Sequence, residues 1–323
     1  MNLIICMTPL QMLIAEKIIE LHSEDKFYAI VLGQKENSKY YYYANRLKEK
    51  CIKLEFIEQP SFNNKLLIFF FIIKFKLKGI ILPNINKIFL ANIHFLPLLG
   101  LLSTLRFKEI NTFDDGLANI DNTSFLFTKR EHGFLKRIIL SILVGGFYKE
   151  NIKEFSKIHY TIYKDLPNII INTSFISLLP ENTVWKKNNG ETSNIVKIFL
   201  GQPIFENSNI SDKNIIKKNI NLIKLALKYC KADYFFPHPR ENYKVDGIKN
   251  INTSLIFEDY IIKLIKNNPR NKYIIYTFFS GAVLNVINLP NIEVVSLRHH
   301  ELPEIWNNAY NVLEKFNIKI EII

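Results

Sequence analysis

The stretch YFFPHPRENY, residues 234–243, holds one histidine between two prolines directly after an aromatic run. Proline lacks a backbone N–H and fixes φ, so a strand through Tyr234–Phe236 must stop at Pro237. His238 is thereby set at a strand tip with Arg240 close by. A lone histidine is more often structural than catalytic, but the flanking prolines and the neighbouring guanidinium favour an oriented proton donor beside an anion.

Four further stretches carry candidate chemistry. NTFDDGLAN places Asp114, Asp115 and Gly116 after a run of strand character. Adjacent carboxylates before a glycine can ligate Mg²⁺ or hold sugar hydroxyls, and they also make a β-turn, the reading that spacing alone favours. IFLGQPIFEN ends a strand at Gly201, continues through Gln202, turns at Pro203 and brings Glu206 ahead of a helical pattern. Glu206 reads as a partner for the helix N-terminus or as a general base. IFEDYIIKLIKN opens a helix with Glu258 and Asp259, through dipole compensation or as a carboxylate for two ribose hydroxyls. In YIIYTFFSGAVLNV a strand ends at Thr277, and Ser280 with Gly281 would aim N–H groups and a hydroxyl at an anion from a helix N-terminus. His238, Arg240, Glu258 and Ser280 together describe a nucleotide-phosphate pocket in the C-terminal half. No D-x-D or H-x-x-H pattern supports a metal, and no glycine-rich phosphate loop is present.

Short apolar runs alternate with amphipathic stretches and must position these residues. Strands are expected at Leu3–Cys6, Tyr28–Leu32, Lys53–Ile57, Lys87–Leu90 and Glu109–Phe113, with helices between several of them. Thr8 serves as an N-cap and Pro9 as the first helical residue. One long helix is expected over Lys129–Asn151. A polar, breaker-rich stretch, Trp185–Asn194, reads as a linker. The alternation then restarts with strands Ile195–Leu200, Tyr234–Phe236, Tyr273–Thr277 and Glu293–Ser296. Helices are expected at about Ser211–Tyr229, Glu258–Lys266 and Pro303–Lys315, and another near Ser280. Such alternation indicates parallel α/β sheets, whose ligands sit beyond the carboxyl ends of the strands. The expected architecture is two Rossmann-like domains, residues 1–190 and 191–323, facing across a central cleft.

Composition supports a large core: 48% of the 323 residues are hydrophobic and 13% aromatic, which excludes disorder. The net charge of +12 is scattered along the chain, so it does not point to nucleic acid; an anionic membrane surface or substrate explains it as well. Cys6, Cys51 and Cys230 lie in apolar runs, as expected of a reducing cytoplasm. The N-terminus lacks the features of a signal peptide. Leu66–Lys78 is too short to span a bilayer; it reads as a core helix or, with Lys74, Lys76 and Lys78, as one dipping into a membrane face.

TFDDG, LGQP, PHPRENY, FEDYI and YTFFSGA, in this order, together with the opening TPLQMLIAEKII, resemble the bacterial sialyltransferases of glycosyltransferase family 52. That family includes lipooligosaccharide α-2,3-sialyltransferases, and the resemblance covers nearly the whole chain. It implies a GT-B fold with an acceptor-side N-terminal domain and a CMP-binding C-terminal domain. It further implies inverting, metal-independent transfer from CMP-sialic acid to a terminal galactose, without a cofactor. His238 is implied to serve the departing phosphate and Glu258 the ribose. Gln202, Pro203, Arg240, Phe279, Ser280 and Gly281 are implied to line the donor site. The family's general base follows the proline of the Leu-Gly-x-Pro stretch, where this chain has Ile204; Glu206, Asp114 and Asp115 are the carboxylates left for that role. A glucosyl donor is the alternative with the same fold, and a basic membrane- or nucleic-acid-binding protein the alternative of another class. The resemblance carries a further expectation of a homodimer, and the cysteines and Leu66–Lys78 add that of a cytoplasmic protein in peripheral contact with the inner membrane.

Overall fold

The opening strand sets the pattern for the chain. Asn2–Cys6 (β1) is buried along its whole length, and Thr8 then caps the helix Pro9–Leu21 (α1), its side chain accepting the Gln11 N–H. A strand buried on both faces, followed by a capped helix with proline in its first turn, is the unit of a parallel sheet. A computed structural model describes residues 1–33, 37–59, 65–128, 134–146, 148–178, 194–202, 204–205, 213–239, 241 and 243–323. They fall into two units, Met1–Pro180 and Glu181–Ile323.

Unit 1 continues with Phe27–Gly33 (β2), Ser38–Glu49 (α2), Lys53–Glu58 (β3), Lys65–Ile81 (α3), Ile85–Leu90 (β4), Leu96–Leu102 (α4) and Phe107–Phe113 (β5). Phe134–Val144 (α5), Lys149–Phe155 (α6), Ser156–Thr161 (β6) and Thr173–Phe175 (β7) complete it. Its strands form a parallel sheet in the order β3-β2-β1-β4-β5-β6-β7. Ile5, Ile30 and Ile88 from the sheet share one core with Phe75 of α3 and Leu101 of α4. Unit 2 contains Ile195–Leu200 (β8), Lys213–Cys230 (α7), Tyr234–Phe236 (β9), Lys249–Asn250 (β10) and Phe257–Asn267 (α8). Lys272–Thr277 (β11), Ile292–Arg298 (β12), Asn307–Lys315 (α9) and Lys319–Ile322 (β13) follow. Its parallel order is β10-β9-β8-β11-β12-β13. In each unit the first strand has the second on one side and the fourth on the other, the 3-2-1-4-5-6 order of a doubly wound sheet.

Three expectations need correction. The long helix over Lys129–Asn151 is two helices, because Gly145 and Gly146 take φ of +59° and +78° after α5. The helix near Ser280 is a 3₁₀ turn, Gly281–Asn285. The helix expected from Pro303 starts with a 3₁₀ turn, Glu304–Trp306, before α9. The linker around Trp185 lies outside the described residues, apart from Asn194. The three cysteines are free, and burial raises their thiols, Cys51 to about 12 and Cys230 to about 11.

The α3 helix carries apolar residues on its exposed side as well as its buried side. Ile72 and Phe75 are buried, whereas Leu66, Phe70, Ile73, Leu77 and Ile80, spaced by three and four residues, are exposed. No helix among the described residues is long and apolar enough to cross a membrane. Where α3 meets α4 the backbones approach closely: a Cβ on Gly79 would lie 2.6 Å from the Leu101 carbonyl oxygen. Thr104 Oγ1 donates to the Lys76 carbonyl at 2.7 Å across the same contact. Overpacking of this kind costs about 1–3 kcal/mol. Gly79→Ala should therefore lower the thermal midpoint by about 2–4 °C per kcal/mol lost; an unchanged midpoint would contradict the close approach.

Candidate active site

In unit 2 the strand order reverses between β8 and β11, so the segments leaving these strands border the point where doubly wound sheets bind ligands. They are tied together across that point. Gln202 Oε1 accepts the Phe279 N–H at 2.9 Å, and Thr277 Oγ1 donates to the Leu200 carbonyl at 3.2 Å. The Ser280 N–H reaches Thr277 Oγ1 at 3.4 Å. Phe279 stacks on Trp306, with centroids 4.5 Å apart, and Trp306 Nε1 donates to the Ile204 carbonyl at 2.9 Å. Ile204 is itself buried, so the position after Pro203 holds an apolar plug rather than a base. Ser280 caps the 3₁₀ turn by accepting the Ala282 N–H at 3.4 Å. The expected α-helix terminus is thus a five-residue turn with little macrodipole, and anion binding there would rest on individual N–H groups.

Glu258 is buried in the first turn of α8, and its Oε1 accepts Asn285 Nδ2 at 2.9 Å. It therefore joins α8 to the turn that Ser280 begins. Asn285 Oδ1 is buried without a partner among the described residues, an open acceptor next to Glu258. His238 follows β9, the neighbour of β8, and is half-buried. Its N–H donates to Glu241 Oε2 at 2.8 Å and its carbonyl accepts the Glu241 N–H at 3.0 Å. Gln202, Phe279, Ser280, Gly281, Glu258 and His238 thus share the carboxyl edge of one sheet or the turns leading from it. Pro203, Glu206 and Arg240 lie outside the described residues.

In unit 1 the two adjacent aspartates have opposite environments. Asp114 is fully buried and accepts four hydrogen bonds: His159 Nε2 (2.9 Å), Asn168 Nδ2 (3.0 Å), Thr161 Oγ1 (2.7 Å) and the Ile162 N–H (2.7 Å). Four donors fill the lone pairs of a carboxylate, so Asp114 ties β5 to β6 and has no oxygen left for a substrate. This corrects its place among the catalytic candidates. Asp115 is half-buried where the first turn of α1 meets the loops after β4 and β5. Gln11 Nε2 donates to its Oδ1, Asn92 Nδ2 lies 3.5 Å from its Oδ2, and its N–H donates to Asn119 Oδ1 at 2.9 Å. Gln11 is in turn fixed by the Met7 N–H, 2.6 Å from its Oε1. Gly116, at φ +139°, turns the chain sharply after this pair. The strand order of unit 1 reverses between β1 and β4, so Asp115 occupies the switch point of its own sheet. Gln11 and Asn92 escaped sequence reasoning. Gln11 left one trace, a polar residue inside the apolar run that opens α1.

The two aspartates should separate in stability measurements. Removing a carboxylate that satisfies several buried donors costs about 1–3 kcal/mol for each donor left unpaired. Asp114→Ala should lower the thermal midpoint by about 10 °C or more, and Asp115→Ala should lower it far less. Equal losses would contradict the division.

Two doubly wound units and these strand-end groups define a protein of the GT-B class. The chain is similar over its full length to the GT-B domain of a sialyltransferase from Photobacterium damselae, with a TM-score of 0.54 at 12% identity and all of that domain covered. Residues 24–301 match the model of glycosyltransferase family 52, and the chain belongs to this family. It is 39% identical to an N-acetyllactosaminide alpha-2,3-sialyltransferase of Haemophilus influenzae, with 99% of each chain covered. It is 35% identical to a CMP-N-acetylneuraminate:beta-galactoside alpha-2,3-sialyltransferase of Pasteurella multocida, over 99% of this chain and 98% of that protein. An N-acetyllactosaminide alpha-2,3-sialyltransferase of Neisseria meningitidis is 36% identical over 94% of this chain and 80% of its own length.

Proposed function

We propose that this protein is an inverting, metal-independent sialyltransferase that moves sialic acid from CMP-sialic acid to a terminal galactose of a surface glycan such as lipooligosaccharide. The observation that carries this reading is the clustering of His238, Gln202, Phe279, Ser280 and Glu258 around the carboxyl edge of unit 2, in a chain whose close relatives are named as sialyltransferases. Unit 2 binds the donor and unit 1 the acceptor. Glu258 takes the ribose from the first turn of α8, where Asn285 Nδ2 holds its Oε1. The turn at Ser280 and Gly281, with Arg240, takes the phosphate.

The transfer breaks the bond from the anomeric carbon to the phosphate oxygen and forms one to the acceptor hydroxyl. Negative charge develops on the leaving phosphate, so a proton or hydrogen bond from His238 lowers the barrier. The acceptor hydroxyl loses its proton to a carboxylate. Asp115 suits that role because it sits half-buried at the switch point of unit 1, where the Gln11 and Asn92 amides orient it. Each such group is typically worth ~10²–10⁴ in rate. Product analysis with labelled CMP-sialic acid and a galactose-terminated acceptor tests the reading. Sialylated product should form without added metal, and His238→Ala and Asp115→Ala should each cut the rate by at least tenfold. Glu206→Ala belongs in the same assay as the competing base. Consumption of UDP-glucose instead of CMP-sialic acid would contradict the reading.

The protein also contacts an anionic membrane peripherally through α3. Lys74 and Lys76 flank its exposed apolar stripe on opposite sides, and Ile138, Ile139 and Ile142 of α5 are exposed as well. Apolar residues with basic flanks suit the interface of anionic lipid. The protein should sediment with phosphatidylglycerol vesicles, and Phe70→Glu with Leu77→Glu should abolish this. A homodimer broken by the same pair, without vesicle binding, would assign the face to a second copy of the chain.

A further inference from the structure

We infer that Glu241 is a positioning residue that sets the reach of His238. The inference rests on the proposed role of His238 at the leaving phosphate. Glu241 is half-buried, and its carboxylate joins three parts of the donor-side edge. Oε2 accepts the N–H of His238 at 2.8 Å, while the backbone of Glu241 closes the turn on the His238 carbonyl at 3.0 Å. Oε1 accepts the hydroxyl of Tyr243 at 2.9 Å. The same carboxylate lies against Gly201 at the end of β8, where a Cβ would come within 2.6 Å of Oε2 and 2.7 Å of Phe235 Cζ. Glycine at 201 thus makes room for the carboxylate. Burial, and next the Glu241 charge, push the Tyr243 hydroxyl well above its usual range, which keeps it a hydrogen-bond donor.

These contacts have a clear mechanical consequence. Prolines fix φ on both sides of His238 but leave its N–H without a strand partner, because β9 ends at Phe236. The Glu241 carboxylate supplies that partner and closes the turn around it. It also presses the loop onto Gly201 at the end of β8, and the residue after Gly201, Gln202, holds the Phe279 N–H. The imidazole, the β8 end and the phosphate turn are thereby registered to one another. Misplacing a catalytic group by about 1 Å can cost ~10² in rate. Geometry rather than charge is the requirement, since a glutamine can accept the His238 N–H with its oxygen and donate to the Tyr243 oxygen with its nitrogen.

The test combines a spectroscopic readout with a kinetic cycle. Protein labelled at histidine Cε1 gives one signal for each of seven histidines, and His238→Ala identifies the relevant one. In Glu241→Ala that signal should shift or split while the other six stay in place; Glu241→Gln should restore it. Glu241→Asp, which keeps the charge but withdraws the carboxylate by one methylene, should behave like alanine and serves if the alanine variant fails to fold. In sialyl transfer, Glu241→Ala should lower kcat by tenfold or more with little change in the donor KM, and Glu241→Gln should recover most of it. Added to His238→Ala, Glu241→Ala should cost nothing more, because it acts through His238. An undisturbed His238 signal in Glu241→Ala and Glu241→Asp, or losses that multiply in the double variant, would overturn the inference. If His238→Ala left the rate intact while the signal still depended on Glu241, the positioning would stand and the role of the imidazole would fall.

Discussion

Everything proposed for the donor side depends on the parallel pairing of β8 with β9 on one side and β11 on the other. That order sends successive crossovers in opposite directions and opens the carboxyl edge between β8 and β11. Side chains then close part of the gap. Gln202 crosses from the β8 end to Phe279, Thr277 bonds back to Leu200, and Glu241 fastens the β9 loop against Gly201. Among the described residues, the groups proposed for a phosphate are tied to the sheet by these side chains.

The same order recurs in unit 1, and there it explains why two neighbouring aspartates diverge. β5 ends at Phe113, so Asp114 still faces β6 and is consumed by His159, Thr161, Ile162 and Asn168. One residue later the chain has left the sheet, and Asp115 meets Gln11 from the first turn of α1 and Asn92 from the loop after β4. A single step along the backbone separates a fully buried structural knot from a half-buried carboxylate.

Much of this was legible in the sequence, for identifiable reasons. Strand runs bounded by breakers marked the inner strands of both sheets but not the short edge strands β7, β10 and β13, and the proline pair around His238 announced a fixed strand tip. The N-cap at Thr8 and the acidic first turn of α8 were local signals and correspond to observed features. What stayed hidden was non-local or lacked periodicity. LPLLGLL is apolar throughout and contains Pro97 and Gly100, so its pattern does not betray α4. Gly145 and Gly146 were not weighed as a helix stop, although their positive φ divides α5 from α6. Glu241 looked like an ordinary charged residue after the HPR triplet, because its importance arises from Gly201, forty residues upstream. The saturation of Asp114 likewise depends on residues of β6 and beyond.

The central claim is that Asp115 receives the acceptor proton and His238 serves the leaving phosphate, each from the carboxyl edge of its own sheet. The pH dependence of kcat/KM for sialyl transfer, measured on the wild type, Asp115→Asn and His238→Gln, tests it most directly. The account predicts a bell-shaped profile for the wild type, an acid limb missing from Asp115→Asn and an alkaline limb missing from His238→Gln. A bell that persists unchanged in either variant would contradict it.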